Sequence, residues 1–168
     1  LTSAEERELV FADGTVLAVD GSHLPSSGDT IEFTLAPLTE MEIDLENIRD
    51  DMEFAGVART ISATFGQGNP VNITGQPTLT LHYPDYEVGG LDESDFGVFS
   101  WMPDTERWIL VGGGASPVSN TVTSSVRGLG LYGVFYWEAL DVGDAEGLSG
   151  VLTEPNPFSP NGDGLYDE

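Results

Sequence analysis

Closely spaced oxygen-bearing residues near residue 168 are the strongest candidates for chemistry in this sequence. Asn161, Asp163 and Asp167 lie in one short stretch with Gly162 and Gly164. Calcium takes roughly six to eight oxygen ligands, and a glycine-bent loop bearing Asp and Asn supplies several of them. The spacing matches only half of an EF-hand loop, because no glutamate follows at the required distance. The stretch therefore fits two interpretations, a solvated turn that starts a following domain and a calcium site with Asn161, Asp163 and Asp167 as ligands.

A second group of carboxylates comprises Asp50, Asp51 and Glu53. Neighbouring carboxylates repel one another, and a bound cation relieves that repulsion. An acidic loop in contact with solvent explains the same pattern without a metal. We favour the solvated loop and keep a metal site as the alternative. The acids Asp92, Glu93 and Asp95 belong to a predicted turn, where we expect capping and turn roles.

Catalytic motifs are absent from the sequence. There is no cysteine, which excludes thiol catalysis and cysteine-ligated metals. The histidines, His23 and His82, have no metal-ligand spacing, and no nucleophile elbow, zinc-protease motif or P-loop occurs. With 29 acidic residues, some carboxylates must lie at glycosidase-like separations by chance, so such pairs carry no weight. We expect that the chain is not an enzyme.

The charge balance restricts the partners. The 29 acidic residues face five arginines and no lysine, which gives a net charge of -24. Such a chain repels nucleic acid and anionic membrane surfaces, and no stretch reaches the roughly 18–20 apolar residues of a membrane-spanning helix. We therefore expect no nucleic-acid binding and no direct membrane insertion. Cations, other proteins and neutral glycans remain as partners, and the composition suits a salty environment.

Short alternating apolar runs separated by Gly, Pro, Asn and Asp predict an all-β fold. Residues 30–35 (TIEFTL) show the pattern, since Ile31, Phe33 and Leu35 share one face of an extended strand. We predict an antiparallel β-sandwich over residues 1–137, with an extended, acidic, Pro- and Gly-rich linker or tail over residues 138–168 that leads to a further domain. The other predicted strands are residues 15–19, 40–48, 54–65, 78–83, 96–102, 107–111, 121–126 and 129–137. A helical turn at 91–95 and a hairpin loop at 112–114 complete the prediction.

The tryptophans need a separate interpretation, because exposed coplanar rings bind sugars. Trp101 is in phase with Phe99, and Trp108 is in phase with Leu110. Both patterns favour the core. Trp137 ends the final predicted strand and is the better surface candidate, so we name it as the possible ligand-binding ring for a glycan.

Two segments resemble known bacterial modules. Residues 77–136 contain TLTLHYPD, GLDESDFGVFSW, ERWILVGG and SNTVTSSV in order and end within LGLYGVFYW, which runs from residue 129 to residue 137. This segment resembles the ZU5-like β-sandwich modules of large secreted and surface proteins. Residues 156–168 (NPFSPNGDGLYDE) resemble the opening of gliding-motility or FlgD-like C-terminal sorting modules. The His-Phe-Ser self-cleavage motif of some ZU5 relatives is absent, since residues 127–131 read RGLGL, so the resemblance does not imply self-cleavage.

These resemblances imply an extracellular location on the bacterial cell surface. Together with the absent catalytic motifs, they predict a non-catalytic structural or interaction module of a surface protein or filament. Calcium is the expected stabilising ion, and the expected partners are other modules or copies of the chain. Addition of residues 151–168 to a neighbour's sheet edge is one route of assembly. The alternative function is a carbohydrate-binding module of an exported enzyme.

Overall fold

Ten β-strands form the fold in the computed structural model of this chain. The structure describes residues 6–25, 30–38, 43, 48–50, 52–66, 68–84 and 90–137. Short 3-10 turns at Gly21–His23 and Glu93–Asp95 accompany the strands, and no helix in these ranges is long and apolar enough to cross a membrane. The strands are β1 (Glu6–Val10), β2 (Val16–Asp20), β3 (Ile31–Leu38), β4 (Met52–Phe65), β5 (Thr78–His82), β6 (Phe96–Met102), β7 (Arg107–Gly112), β8 (Gly114–Ser116), β9 (Thr121–Ser125) and β10 (Gly130–Trp137).

The strands form two five-stranded antiparallel sheets that pack as a sandwich. Sheet A has the order β1-β2-β5-β9-β8, and sheet B has the order β3-β4-β10-β6-β7. All ladders within both sheets are antiparallel. The edge strands are therefore β1 and β8 in sheet A and β3 and β7 in sheet B. The predicted fold class, an antiparallel β-sandwich, is confirmed.

The main core lies between the sheets and follows the period of two. On β5, Leu79 and Leu81 are fully buried while their neighbours are partly exposed. The ring of Tyr83 packs edge-on against Phe96, with 5.1 Å between centroids. Burying a large apolar side chain contributes about 1.5–3 kcal/mol, so a core of this kind stabilises the sandwich without disulfides. Its other fully buried members include Leu17, Val19, Val57, Val98, Val122, Val126 and Val134.

A second apolar cluster covers the outer face of sheet B, and we call it the outer aromatic cluster. Its buried members are Ile43, Ala58, Phe99, Trp108 and Phe135. Leu38, Ile48, Met52, Phe54, Trp101, Leu131 and Trp137 pack around them. All three tryptophans of the chain therefore lie on this face.

The glycine run at residues 112–114 is not the hairpin loop that its composition predicts. Gly112 ends β7 in sheet B and Gly114 begins β8 in sheet A, so the chain crosses between sheets here. Gly112 and Gly113 have φ of 127° and 134°, a conformation that favours glycine. A Cβ on Gly113 would also lie 3.0 Å from Val122 Cγ1. The hairpin prediction is wrong because a local sequence does not show which sheet its strands join.

Most other predicted elements are present, with small changes at their ends. The eight predicted strands other than 40–48 correspond to β2, β3, β4, β5, β6, β7, β9 and β10, and the turn predicted at 91–95 is the 3-10 turn Glu93–Asp95. β1 and the three-residue β8 were not predicted. Of the predicted strand at 40–48, only Ile43 and Ile48 are described, and both lie in bends.

Candidate functional site

A cleft of about 470 Å³ opens beside β7 at one edge of the sandwich, and we call it the edge cleft. It is lined by residues of both sheets, so the space between the sheets is open to solvent here. The volume falls within the roughly 300–1,000 Å³ typical of ligand pockets. Its lining residues are Gln76, Ser100, Met102, Ile109, Leu110, Val111, Ser125, Arg127 and Tyr132.

The cleft exists because two strands lack a partner on this side. β7 pairs with β6 and forms the edge of sheet B. The short strand β8 pairs only with Thr121, Val122 and Thr123 of β9, so Ser124 and Ser125 extend past its end. Unpaired backbone N–H and C=O groups on such edges are ready to pair with an added strand.

Exposed apolar side chains are concentrated at this cleft. Met102 is 38% exposed, Ile109 is 47% exposed and Leu110 is 37% exposed, and all three line the cleft. The other large apolar side chains found exposed in the described ranges, Val10 and Val118, do not line it. An apolar patch grouped at one place marks an interaction surface, whereas single exposed residues do not.

The other long edges carry residues that discourage strand addition. β1 exposes Arg7 and Glu8, and β3 exposes Glu32 and Pro37. Charged side chains and proline protect sheet edges in natural proteins. β7 contains no proline, and its only charged residue is Arg107 at its first position. It is therefore the least protected long edge among the described strands.

The polar groups of the cleft differ in burial and in charge. Tyr132 is buried, and its hydroxyl donates to the carbonyl oxygen of Gly128 at 3.0 Å. Burial raises the pKa of Tyr132, and a hydrogen bond with Ser100 offsets part of that rise. Arg127 is exposed and forms no ion pair with another described residue. Among the described residues that line the cleft, Arg127 is the only charged one, so this apolar space carries a positive charge at its rim.

The carboxylates of the predicted turn have structural roles. Asp92 accepts hydrogen bonds from the backbone nitrogen and the hydroxyl of Ser94 at 3.0 Å and 2.6 Å. These bonds, the one from the Ser94 side chain being the stronger, lower the pKa of Asp92. Glu93 accepts a 2.6 Å hydrogen bond from the Tyr83 hydroxyl. The expected capping role is confirmed for Asp92.

The predicted metal ligands mostly fall outside the described residues. Asn161, Asp163 and Asp167 lie in the undescribed residues 138–168, and Asp51 is also undescribed. Asp50 and Glu53 are exposed, the latter on β4. Among the residues that the structure describes, no three His, Asp or Glu side chains are grouped to hold a metal. The calcium site and the 138–168 tail therefore stay predictions.

The aromatic rings of sheet B form a packed layer. Trp108 is 5% exposed, which confirms its predicted core position, and Trp101 and Trp137 are partly buried in the same cluster. The ring planes of Trp101 and Trp108 meet at 59°, and those of Trp108 and Phe135 at 55°. The buried Nε1 of Trp108 has no hydrogen-bond acceptor among the residues that the structure describes. Tilted, interlocked rings are typical of a core and differ from the coplanar rings that stack on sugars.

Comparison of this chain with protein-family models, curated proteins and solved structures finds no match. The ZU5-like resemblance of residues 77–136 and the sorting-module resemblance of residues 156–168 therefore stay predictions from motifs.

The edge cleft was not predicted, although the sequence contains a signal for it. Trp108, Ile109, Leu110 and Val111 are four consecutive apolar residues, which breaks the period of two expected for a strand with one solvent-facing side. Such a run means that both faces of β7 are apolar. Combined with the edge position of β7, which the sequence does not reveal, it produces the exposed patch.

Proposed function

We propose that this chain is a non-catalytic structural and interaction module of a bacterial extracellular or cell-surface protein, and that the edge cleft is its contact surface. The observation that carries the proposal is the grouping of Met102, Ile109 and Leu110 at β7, the least protected long edge among the described strands. Its partners are other modules or copies of the chain.

Strand addition is the mode of contact that this geometry favours. An extended segment placed along β7 pairs its backbone with the free edge and directs alternate side chains toward the cleft. Backbone pairing supplies affinity, and the cleft supplies selectivity through Ile109, Val111 and Arg127. Each large apolar side chain buried there contributes about 1.5–3 kcal/mol before the cost of ordering the segment.

The charge of the chain is consistent with an extracellular surface role. A net charge of -24 keeps the module soluble, while long-range repulsion suppresses unspecific contacts. Calcium bound by Asn161, Asp163 and Asp167 would neutralise part of that charge in the tail. The sorting-module resemblance of residues 156–168 supports export and cell-surface attachment of the parent protein.

The carbohydrate-binding alternative has one observation in its favour, the placement of all three tryptophans on one face of sheet B. A sugar platform on this face would use Trp137. The tilts between neighbouring rings and the burial of Trp108 favour a packing role for the cluster. The interaction module is therefore the better-supported function.

The proposal is tested with the substitution Ile109→Lys, which places a charge on the exposed edge. The matched control is Val118→Lys, because Val118 is fully exposed and does not line the cleft. Sedimentation velocity of the full chain in about 1 M NaCl, where the Debye length is about 3 Å, measures association. We expect concentration-dependent association in the natural sequence and in Val118→Lys, with loss only in Ile109→Lys. Equal behaviour of both variants would overturn the edge cleft as the contact surface.

A further inference from the structure

We infer that the edge cleft accepts an extended strand from a second copy of this chain, residues 148–154, and that Arg127 selects this strand by pairing with the carboxylate of Glu154. The inference rests on the proposed function, because it names the partner of the same surface. Its evidence is the charge of the cleft, the sequence of the segment and the length of the open edge.

The lining of the cleft is complementary to a partner segment that is apolar and carries one negative charge. Met102, Ile109 and Val111 supply an apolar lining, and Arg127 is the only charged residue that the described part of the chain contributes to it. Arg127 has no ion pair within the described part of the chain. The residues on either side of it, Val126 and Gly128, are uncharged. A guanidinium in this position favours a carboxylate, with which it forms short, directional hydrogen bonds.

Residues 148–154 have the matching chemistry. They read LSGVLTE, and in an extended conformation Leu148, Gly150, Leu152 and Glu154 share one face. Two leucines on that face suit the apolar lining, and the carboxylate follows at its end. Proline first occurs after this stretch, at Pro155, where the missing N–H would end backbone pairing.

The surrounding sequence adds to the charge complementarity. Residues 138–168 contain acidic residues and no lysine or arginine. The acids are Glu138, Asp141, Asp144, Glu146, Glu154, Asp163, Asp167 and Glu168. When residues 138–168 of a second copy approach Arg127, they bring negative charge toward a cation that has no ion pair with another described residue.

The lengths also agree. β7 has six residues and spans about 20 Å at roughly 3.3 Å per residue. A segment of seven residues covers the same edge. Since each copy would supply both an acceptor edge and a donor segment, the contact joins different surfaces and repeats from copy to copy. A contact of this heterologous type produces open chains of subunits when its rotation does not close a ring.

The first experiment measures binding of a fluorescent LSGVLTE peptide to the full chain by anisotropy. We expect saturable binding, a loss of at least about tenfold in affinity in Arg127→Glu, and no change in Arg7→Glu. Arg7→Glu is the matched control, because it makes the same charge change at an exposed position of β1. A peptide with Glu154→Arg should bind Arg127→Glu better than it binds the natural chain. A charge-independent affinity, or no binding, would overturn the inference.

The second experiment separates the inference from the proposed function. Sedimentation velocity compares the natural chain with Glu154→Gln and Asp144→Gln, which remove one carboxylate inside and outside the inferred strand. Weaker association only in Glu154→Gln supports the inference. Association that depends on Ile109 but not on Glu154 or Arg127 refutes the inferred strand and leaves the contact surface in place. A chain that stays monomeric while the peptide binds refutes a second copy as the source.

Discussion

The substitution Gly133→Ala tests the packing of the outer aromatic cluster, because Gly133 lies on β10 beneath two aromatic rings. A Cβ at this position would be 2.9 Å from Phe135 Cε2 and 3.2 Å from Trp108 Cζ3. Ordinary carbon contacts begin at about 3.4 Å, so both rings would have to move. Phe135 is fully buried and also packs against Phe54 and Phe99, which leaves it little room.

The expected cost follows from two opposing effects. Overpacking a core typically destabilises a protein by about 1–3 kcal/mol. Replacing glycine with alanine in a strand recovers about 0.5–1 kcal/mol, because the unfolded chain loses conformational freedom. We therefore expect Gly133→Ala to lower the free energy of unfolding by about 1–2 kcal/mol. In a domain of this size that change lowers the Tm by roughly 4–8 °C.

Gly130→Ala is the control on the same strand, since a Cβ there meets nothing within 4 Å and φ is not positive. It should leave the Tm unchanged or raise it slightly. Urea unfolding followed by tryptophan fluorescence suits the measurement, because Trp101, Trp108 and Trp137 all lie in the cluster. Equal midpoints for Gly133→Ala and Gly130→Ala would refute the close packing of Trp108 over β10.

Two further predictions concern charge. Partial burial alone would raise the pKa of Asp13, but hydrogen bonds from Arg59 and Thr15 outweigh it and lower that pKa. Because the pKa of Asp13 is lower in the folded chain, its ionised form stabilises the fold above its unfolded-state pKa of about 3.9. This stabilisation is lost as the pH falls through the folded-state pKa of Asp13. Because Asp13 is exposed and solvent screens its ion pair, the free energy of unfolding by urea should be only about 0.5–1 kcal/mol lower in Asp13→Asn at neutral pH, and the difference should vanish at low pH; a pH-independent difference would contradict this. Calcium should bind the full chain and not Asp163→Asn in isothermal titration calorimetry, and equal heats from both would exclude the predicted tail site.

The strands were predictable where one face of a sheet is buried and the other meets solvent. β5 is the best case, since Thr78, Thr80 and His82 alternate with the fully buried Leu79 and Leu81. The alternation follows directly from strand geometry, so it can be read without knowing the neighbours. β1 escaped prediction because its sequence, ERELV, has too few apolar residues to show a buried face.

Properties set by pairing between distant strands were not predictable. Trp108 was correctly placed in the core by its phase, and Trp101 is only partly buried against the same cluster, but the sequence does not show that Trp137 joins them on the outer face of sheet B. That face is covered in part by Ile43, whose segment was predicted as a strand. The order of strands in each sheet also decides that β7 is an edge, and this order depends on contacts far apart in the chain.

The residues chosen from sequence for chemistry and the residues of the edge cleft do not overlap, and the reason is physical. Asn161, Asp163 and Asp167 were selected because oxygen ligands lie close together along the chain. The edge cleft instead combines Ile109 of β7 in sheet B with Arg127, which follows β9 of sheet A. These residues come together only when the two sheets pack. A site made by tertiary assembly leaves at most an indirect trace, such as the unbroken apolar run in β7.

The exposed edge of β7 and the large negative charge of the chain are physically related in the proposed module. An apolar, unprotected edge normally invites aggregation, but a charge of -24 makes most encounters between copies repulsive over a Debye length of about 10 Å at 0.1 M salt. Repulsion of this kind falls in salty surroundings and is locally reversed at Arg127. The edge therefore disfavours pairing with unspecific strands and favours a segment that places a carboxylate next to Arg127. Specificity then resides in Arg127, since β7 beyond its first residue, Arg107, offers only backbone groups and apolar side chains to a strand that pairs with it.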